Sequence, residues 1–169
     1  KALLSQKKIA LLLKKDFQHE AAILDVIARL NNSKTGNLWG WWANNEAAPW
    51  ISLHVVEALL QAEEEGYNIQ LSKQSIIDNL VFNLESYRSH DQLLSLHLLQ
   101  QLGAKVDYNR YIDTLEKSAG KLSLYERLRL MELKQKAGLP QPVDSLAGKA
   151  KHTLFGNMYW GEEGYQFFD

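Results

Sequence analysis

Three groups of residues in this chain have the types that chemistry needs: five histidines, runs of carboxylates, and five tryptophans. The histidines are His19, His54, His90, His97 and His152. His54 and His97 fall on separate apolar-rich segments that would face a common cavity. A zinc-like site needs three or four ligands, and the nearest additions are only Glu57 and Asp91. There is no His-Glu-x-x-His spacing. No metal is expected, and His54 is expected as an interior histidine with satisfied ring nitrogens. Glu162, Glu163 and Asp169, around the second aromatic loop, are candidates for paired carboxylates in acid–base work. Nothing beside them supplies a nucleophile with a positioned base, so an exposed acidic turn is the expectation. Glu63-Glu64-Glu65 ends a helical segment, where the macrodipole disfavours negative charge, and is read as a solvated end. Lys7-Lys8 and Lys14-Lys15 are read as the wet side of a helix. No catalytic residue and no cofactor is expected.

The tryptophans are the most distinctive group. Four lie in Trp39-Gly40-Trp41-Trp42 and Pro49-Trp50, and the fifth is in a partial echo, Gly156-Asn157-Met158-Tyr159-Trp160-Gly161. Two readings stand. Trp39, Trp41, Trp42 and Trp50 would plug one end of a helical ring and stiffen the loop, because aromatic side chains dominate core energetics. Alternatively the loop, with Tyr159 and Trp160, is a contact surface for a partner domain or ligand, since Trp and Tyr are favoured anchors.

Composition narrows the rest. The chain has 169 residues, 46% of them apolar, and a net charge of −1. That is enough for one ordinary domain with a sizeable core. No basic excess points to nucleic acid. No cysteine is present, so no disulfide, thiolate metal site or thiol nucleophile is possible. The most apolar run, Ile9 to Leu13, is far too short to cross a bilayer, and direct membrane insertion is not expected. The basic start, Lys1 to Lys15, lacks a long apolar region and a cleavage site and is read as helix. From the missing initiator Met and the abrupt end at Phe167-Phe168-Asp169, a fragment is the expectation.

The elements that must position these residues read almost entirely as helix. A first region runs from about Lys8 to Asn31, broken near Asp16, with Phe17, Ala21, Leu24, Ile27 and Ala28 on one face. Pro49 opens the next helix, where its missing N–H costs nothing, and Gly66 closes it. That helix, Trp50 to Glu65, is apolar in almost every direction, as expected of an enclosed helix. Ser72 or Ser75 opens a one-sided helix carrying Ile76, Ile77, Leu80, Val81, Leu84 and Tyr87. Asp91 to Leu102 is dense again and stops at Gly103. Asp107 to Ser118 is one-sided. Ser123-Leu124-Tyr125-Glu126 has capping-box spacing and starts a helix closed by Gly138 and Pro140. Pro142 begins a short helix to about His152. Dense and one-sided helices thus alternate with a hairpin period of roughly 30–45 residues. The expected architecture is all-α: an α/α toroid of inner and outer helices, a partial ring, forming a single helical domain over residues 1–169.

At Gly36-Asn37-Leu38-Trp39-Gly40-Trp41-Trp42, followed by Pro49-Trp50-Ile51-Ser52-Leu53-His54-Val55-Val56-Glu57-Ala58-Leu59-Leu60-Gln61-Ala62 and Gly66-Tyr67, the chain resembles the α/α-toroid domain of alpha-2-macroglobulin-like proteins, especially bacterial ones. Asn157-Met158-Tyr159-Trp160-Gly161 is similar to the loop before a further inner helix. The likeness covers about residues 36 to 67 and, weakly, 154 to 169. It implies a large multidomain, extracytoplasmic protein (periplasmic, cell-surface or secreted) that traps or inhibits proteases. The partners implied are neighbouring domains of the same polypeptide and a target protease. Many members carry a Cys–Gln thioester in this domain. With no cysteine here, the resemblance implies that the motif lies upstream of Lys1 or that this member lacks it. His90 falls loosely where some members place a histidine, but its neighbours do not match and the role is not carried over. The expected function is therefore a non-catalytic scaffold in protease trapping at the cell envelope. The rival reading is a toroid-fold enzyme, or a glycan-binding module using the aromatic loop 39–50. The Asp-x-Asp-Asp run of a terpene cyclase is missing, and so is the cysteine of a prenyltransferase zinc site.

Overall fold

A computed structural model describes residues 1–42, 46–118, 120, 122–139, 151–152 and 158–159. Among these the chain is mostly helical, as the apolar periodicity predicts. It forms α1 (Ala2–Leu12), α2 (Glu20–Asn32), α3 (Pro49–Glu64), α4 (Lys73–Asn83), α5 (Ser89–Gln101), α6 (Tyr108–Lys117) and α7 (Leu124–Lys136), then two short strands, β1 (Lys151–His152) and β2 (Met158–Tyr159). The residues gather into two compact units, Lys1–Lys105 and Val106–Asp169.

In the first unit α5 packs against both α3 and α4. The dense helices are the enclosed ones. α3 buries Ser52, Leu53, Val56, Leu59, Leu60 and Ala62, and α5 buries Leu93, Leu94, Leu96, Leu98 and Leu99. α4 buries only Ile76 and Leu80 and leaves Val81 and Phe82 in water. A second cluster joins α1 and α2 to the end of α3 through Leu4, Ile23, Ile27, Ala62 and Tyr67, with Leu3, Phe17 and Ile69 at its margin.

The exit from α3 shows why that cluster forms. Gly66 has φ +87°, which a residue without Cβ adopts at no steric cost. Its N–H donates to the Glu63 carbonyl at 2.9 Å, and the Tyr67 N–H donates to the Ala62 carbonyl at 3.0 Å. This is the Schellman arrangement, and it sets Tyr67 beside Ala62, the apolar contact that usually accompanies it. α5 and α7 end the same way at Gly103 and Gly138.

The start of the chain departs from expectation. α1 begins at Ala2, and seven residues, 13–19, separate it from α2. Asp16 caps neither helix; the N-cap of α2 is His19, which makes no side-chain cap bond. Phe17 lies in the connection, so the helical face counted from it is out of register. The buried pair is Ile23 and Ile27, one turn apart, while Ala21, Leu24 and Ala28 are exposed. α1 ends in a Schellman turn without glycine. Lys14, at φ 52°, donates to the Leu11 carbonyl, and Lys15 donates to the Ala10 carbonyl at 2.8 Å.

In the second unit α6 packs on α7, burying Ile112, Leu115, Leu130 and Leu133. Asp107 caps α6 by accepting from the Arg110 N–H. The Ser123–Glu126 capping box is present at α7 with both of its bonds. β1 and β2 pair antiparallel, with Lys151 opposite Tyr159 and His152 opposite Met158. Residues 142–150 of the expected helix lie outside the described residues, but its end at His152 is corrected. Lys151 and His152 are extended because Met158 and Tyr159, read as loop, supply a ladder partner. Among the described residues no helix is long and apolar enough to cross a membrane.

Candidate aromatic contact site

The first aromatic segment is built around Trp39, which is buried to 2% exposure. Its indole N–H donates to the Leu30 carbonyl at 2.7 Å. Leu30 lies in the last turn of α2, where carbonyls lack a partner within the helix, so the ring both fills space and closes that end. Its backbone N–H donates to Ser52 Oγ at 2.9 Å. The Ser52 hydroxyl proton has two acceptors in reach, the Trp39 carbonyl at 3.0 Å and the Ala48 carbonyl at 3.1 Å. The Trp39 carbonyl also accepts from the Ala48 N–H at 2.9 Å. Residues 39 and 48 are thereby pinned to each other and to the first turn of α3, with Pro49 at its N-terminal position.

Further ties fix the approach. Thr35 and Leu38 bridge across a turn at Gly36. Asn37 Nδ2 donates to Ser75 Oγ on α4 at 2.8 Å. The Lys34 ammonium stands 5.6 Å from the centre of the Trp39 ring and donates to the Gln70 carbonyl.

The other rings of the segment are outside. Trp41 is 69%, Trp42 73% and Trp50 43% exposed. The four-ring plug is therefore corrected to one buried ring: Trp39 is held inward by its bonds to the Leu30 carbonyl and to Ser52, while Trp41 and Trp42 stay exposed and Trp50 is only partly covered. Trp41 meets Trp50 edge to face at 5.1 Å and 72°, and Trp50 meets His54 at 6.3 Å and 81°. These three rings run along the outer side of the first turns of α3. Trp41 and Trp42, with Glu46, Ala47 and Ala48, also wall a cleft of about 540 Å³. A second, apolar cavity of about 250 Å³ lies between α1, α2 and α3, lined by Leu4, Ile27, Leu30 and Leu59 among others.

His54 is exposed, which corrects its expected interior place. It occupies the side of α3 that carries Trp50, one turn on, and not the Leu53–Val56–Leu60 side. Its Nδ1 lies 3.9 Å from Glu57 Oε2, and Glu57 is paired with Lys1. Partial shielding by neighbours and the positive charge of Lys1 hold the imidazole below its usual range, against the opposing pull of Glu57. His97, on α5, is half-buried. Among the described residues no group of three or more His, Cys, Asp or Glu is placed to hold a metal ion.

The charged runs also differ from expectation. Each carboxylate of Glu63-Glu64-Glu65 has a partner on another element: Lys73 at 2.8 Å, Gln101 at 2.6 Å and Lys8 at 2.7 Å. Lys7 joins a triad, donating to Tyr67 OH at 2.7 Å with Glu20 at 3.1 Å. These side chains tie α1, α2, α4 and α5 to the end of α3. Sequence reasoning missed them because pairing across elements leaves no local spacing. Trp160, Glu162, Glu163 and Asp169 lie outside the described residues. Only the backbone of Tyr159, in β2, is described.

No family model, curated protein or solved structure matches this chain.

Proposed function

We propose that this chain is a non-catalytic helical scaffold of an alpha-2-macroglobulin-like protein, arranged as part of an α/α toroid with α3 and α5 as inner helices. In that reading the protein traps or inhibits proteases at the cell envelope, in an extracytoplasmic setting. The chain supplies rigid shape and contacts to neighbouring domains of the same polypeptide. One observation supports it most. The aromatic segment is locked by Trp39 and Ser52 onto the first turn of α3, one of the two enclosed helices, the order of loop and inner helix on which the resemblance rests. The alternation of the buried helices α3 and α5 with the one-sided α4 is consistent with it.

The test is a trapping assay on the protein that carries this chain. A general protease is incubated with it and then offered a large protein substrate and a small peptide substrate. Trapping removes activity on the large substrate and spares the small one. Equal activity on both, with and without the protein, rejects the reading.

A further inference from the structure

We propose that the end of α1, the run Leu11-Leu12-Leu13-Lys14-Lys15, docks on the surface of an anionic phospholipid bilayer. The run is too short to cross a bilayer, so the contact is peripheral, with leucines among the first methylenes and lysines among the headgroups. The inference does not rest on the scaffold reading.

The first observation is how far the run stands out. α1 is held by its first two turns: Leu4 is buried, Lys7 is tied to Tyr67 and Glu20, and Lys8 is tied to Glu65. From Ile9 to Asp16 no residue is buried, and only Ala10 is partly covered. Ile9 is 56%, Leu11 61%, Leu12 83% and Leu13 60% exposed. Successive helical residues point about 100° apart, so these four side chains sweep an arc of roughly 200°, opposite Ala10. A partner helix or a protein groove covers one stripe of such an arc and leaves the rest in water. Fluid acyl chains close round all of it at once, which is why lipid fits this shape better than a protein does.

The second observation is the backbone. Apolar surroundings penalise unpaired N–H and C=O groups. The turn that ends α1 pairs its own: the N–H groups of Leu13, Lys14 and Lys15 donate to the carbonyls of Ile9, Leu11 and Ala10 at 3.0, 3.1 and 2.8 Å. These donors carry no unmet hydrogen bond into the interface.

The third observation is charge. Lys14 and Lys15 lie in the turn beyond α1 and not along its wet side. Both are exposed, and neither ammonium has a partner among the described residues. Lys7 and Lys8, by contrast, are paired. Asp16 offsets one of the two free charges, so the tip remains positive. Lysines beside an apolar tip reach headgroup phosphates while their stems stay with the leucines. Each is worth about fivefold in affinity for an anionic leaflet. The left-handed backbone of Lys14 points the same way. Other helix ends place Gly66, Gly103 and Gly138 there, and strain kept where the fold does not need it marks a functional position.

The experiment is co-sedimentation of the full chain with vesicles of phosphatidylglycerol and phosphatidylcholine, and with vesicles of phosphatidylcholine alone. Binding is expected on the mixed vesicles and should be several-fold weaker on the zwitterionic ones. Leu12→Gln should lower partitioning at least tenfold. Lys14→Gly should lower it about fivefold without lowering the thermal midpoint, which separates lost binding from lost folding. Leu12→Gln changes an exposed side chain, so its midpoint should match the wild type. No binding to the mixed vesicles overturns the proposal, as does binding that Leu12→Gln leaves unchanged or equal binding to both vesicles. A Leu12-dependent dimer in lipid-free sedimentation equilibrium also overturns it, by assigning the tip to a second copy. The trapping assay uses no lipid, so either reading can fail without the other.

Discussion

Trp39 and Ser52 grip each other through the backbone of a single residue: the Trp39 N–H donates to Ser52 Oγ at 2.9 Å, and the Trp39 carbonyl lies 3.0 Å from the same oxygen. The hydroxyl belongs to the first turn of α3 and the peptide to the loop, so the pair fixes where the loop leaves the helical core. Trp39→Ala should cost about 3–5 kcal/mol, the loss for a buried large aromatic. Ser52→Ala should cost about 1–3 kcal/mol by leaving a buried N–H unpaired. Trp42→Ala should stay within about 0.5 kcal/mol, as exposed substitutions do, and Trp41→Ala should cost no more than about 1.5 kcal/mol, the worth of its edge-to-face contact with Trp50. Urea unfolding followed by far-UV circular dichroism separates the two groups. If Trp41→Ala cost as much as Trp39→Ala, the division into one inner and two outer rings would be wrong.

Lys14 takes the place that Gly66, Gly103 and Gly138 take at other helix ends, with φ 52°. An L side chain in the left-handed region costs roughly 1–2 kcal/mol relative to glycine, part of which glycine returns by its freer unfolded state. Lys14→Gly should therefore stabilise the protein modestly, raising the thermal midpoint by a few degrees. A lowered midpoint would mean that the Lys14 side chain makes a contact of its own worth more than the strain.

These two features mark the limit of what the sequence makes legible. Where a local rule acts alone, it reads correctly. Gly66, Gly103 and Gly138 stop their helices, Ser123 and Glu126 box α7, and the apolar density of α3 and α5 shows their burial. Lys14 is invisible because no local pattern announces a left-handed lysine. Asp16 misleads because a good capping residue needs a helix at its next position, and here the connection runs on to His19. The site is half legible for a similar reason. Tryptophan composition marks the loop, but the choice of Trp39 as the buried ring depends on the Leu30 carbonyl and Ser52 hydroxyl, which the fold brings from two other elements. The pairing of Glu63, Glu64 and Glu65 with Lys73, Gln101 and Lys8 is likewise a tertiary fact with no sequence spacing.

Tyr67 joins α1 and α2 through its hydroxyl, accepting from Lys7 Nζ and donating to Glu20 Oε1, each at 2.7 Å. The Tyr67 bond, then Lys7, lowers the Glu20 carboxyl. The Tyr67 bond, then Glu20, raises the Lys7 ammonium, while burial chiefly raises the Tyr67 phenol. The signs follow from linkage. A lowered carboxyl stabilises above its unfolded value, about pH 4, and that contribution is lost as pH falls through the folded value. A raised ammonium and a raised phenol stabilise below about pH 10, and that contribution is lost as pH rises through their folded values. Tyr67→Phe should therefore flatten both flanks of the stability profile while lowering its plateau. Urea midpoints across the pH range check this, and a constant offset between the two profiles would show that the triad is not the titrating element.

His54 offers a way to watch the outer ring series directly. It stacks edge to face on Trp50 at 6.3 Å and lies near Lys1, Glu57, His90 and Asp91. Shielding by neighbours and then Lys1 lower its value, so the folded protein holds it neutral where the unfolded chain has begun to protonate. By linkage its contribution to stability is present above about pH 6.5, the unfolded value, and is lost as pH falls through the folded value. Because the ring is exposed, the effect on stability should be small and screened, and spectroscopy is the better probe. The His54 imidazole resonances should titrate below the unfolded value. Trp50 emission should fall over the same interval, since an imidazolium beside an indole quenches it. His54→Asn should remove that step, and Glu57→Gln should move it to still lower pH by deleting the carboxylate that supports the charged ring. A midpoint above that of the unfolded chain would reverse the sign of the argument and place Glu57, rather than shielding and Lys1, in control of the site.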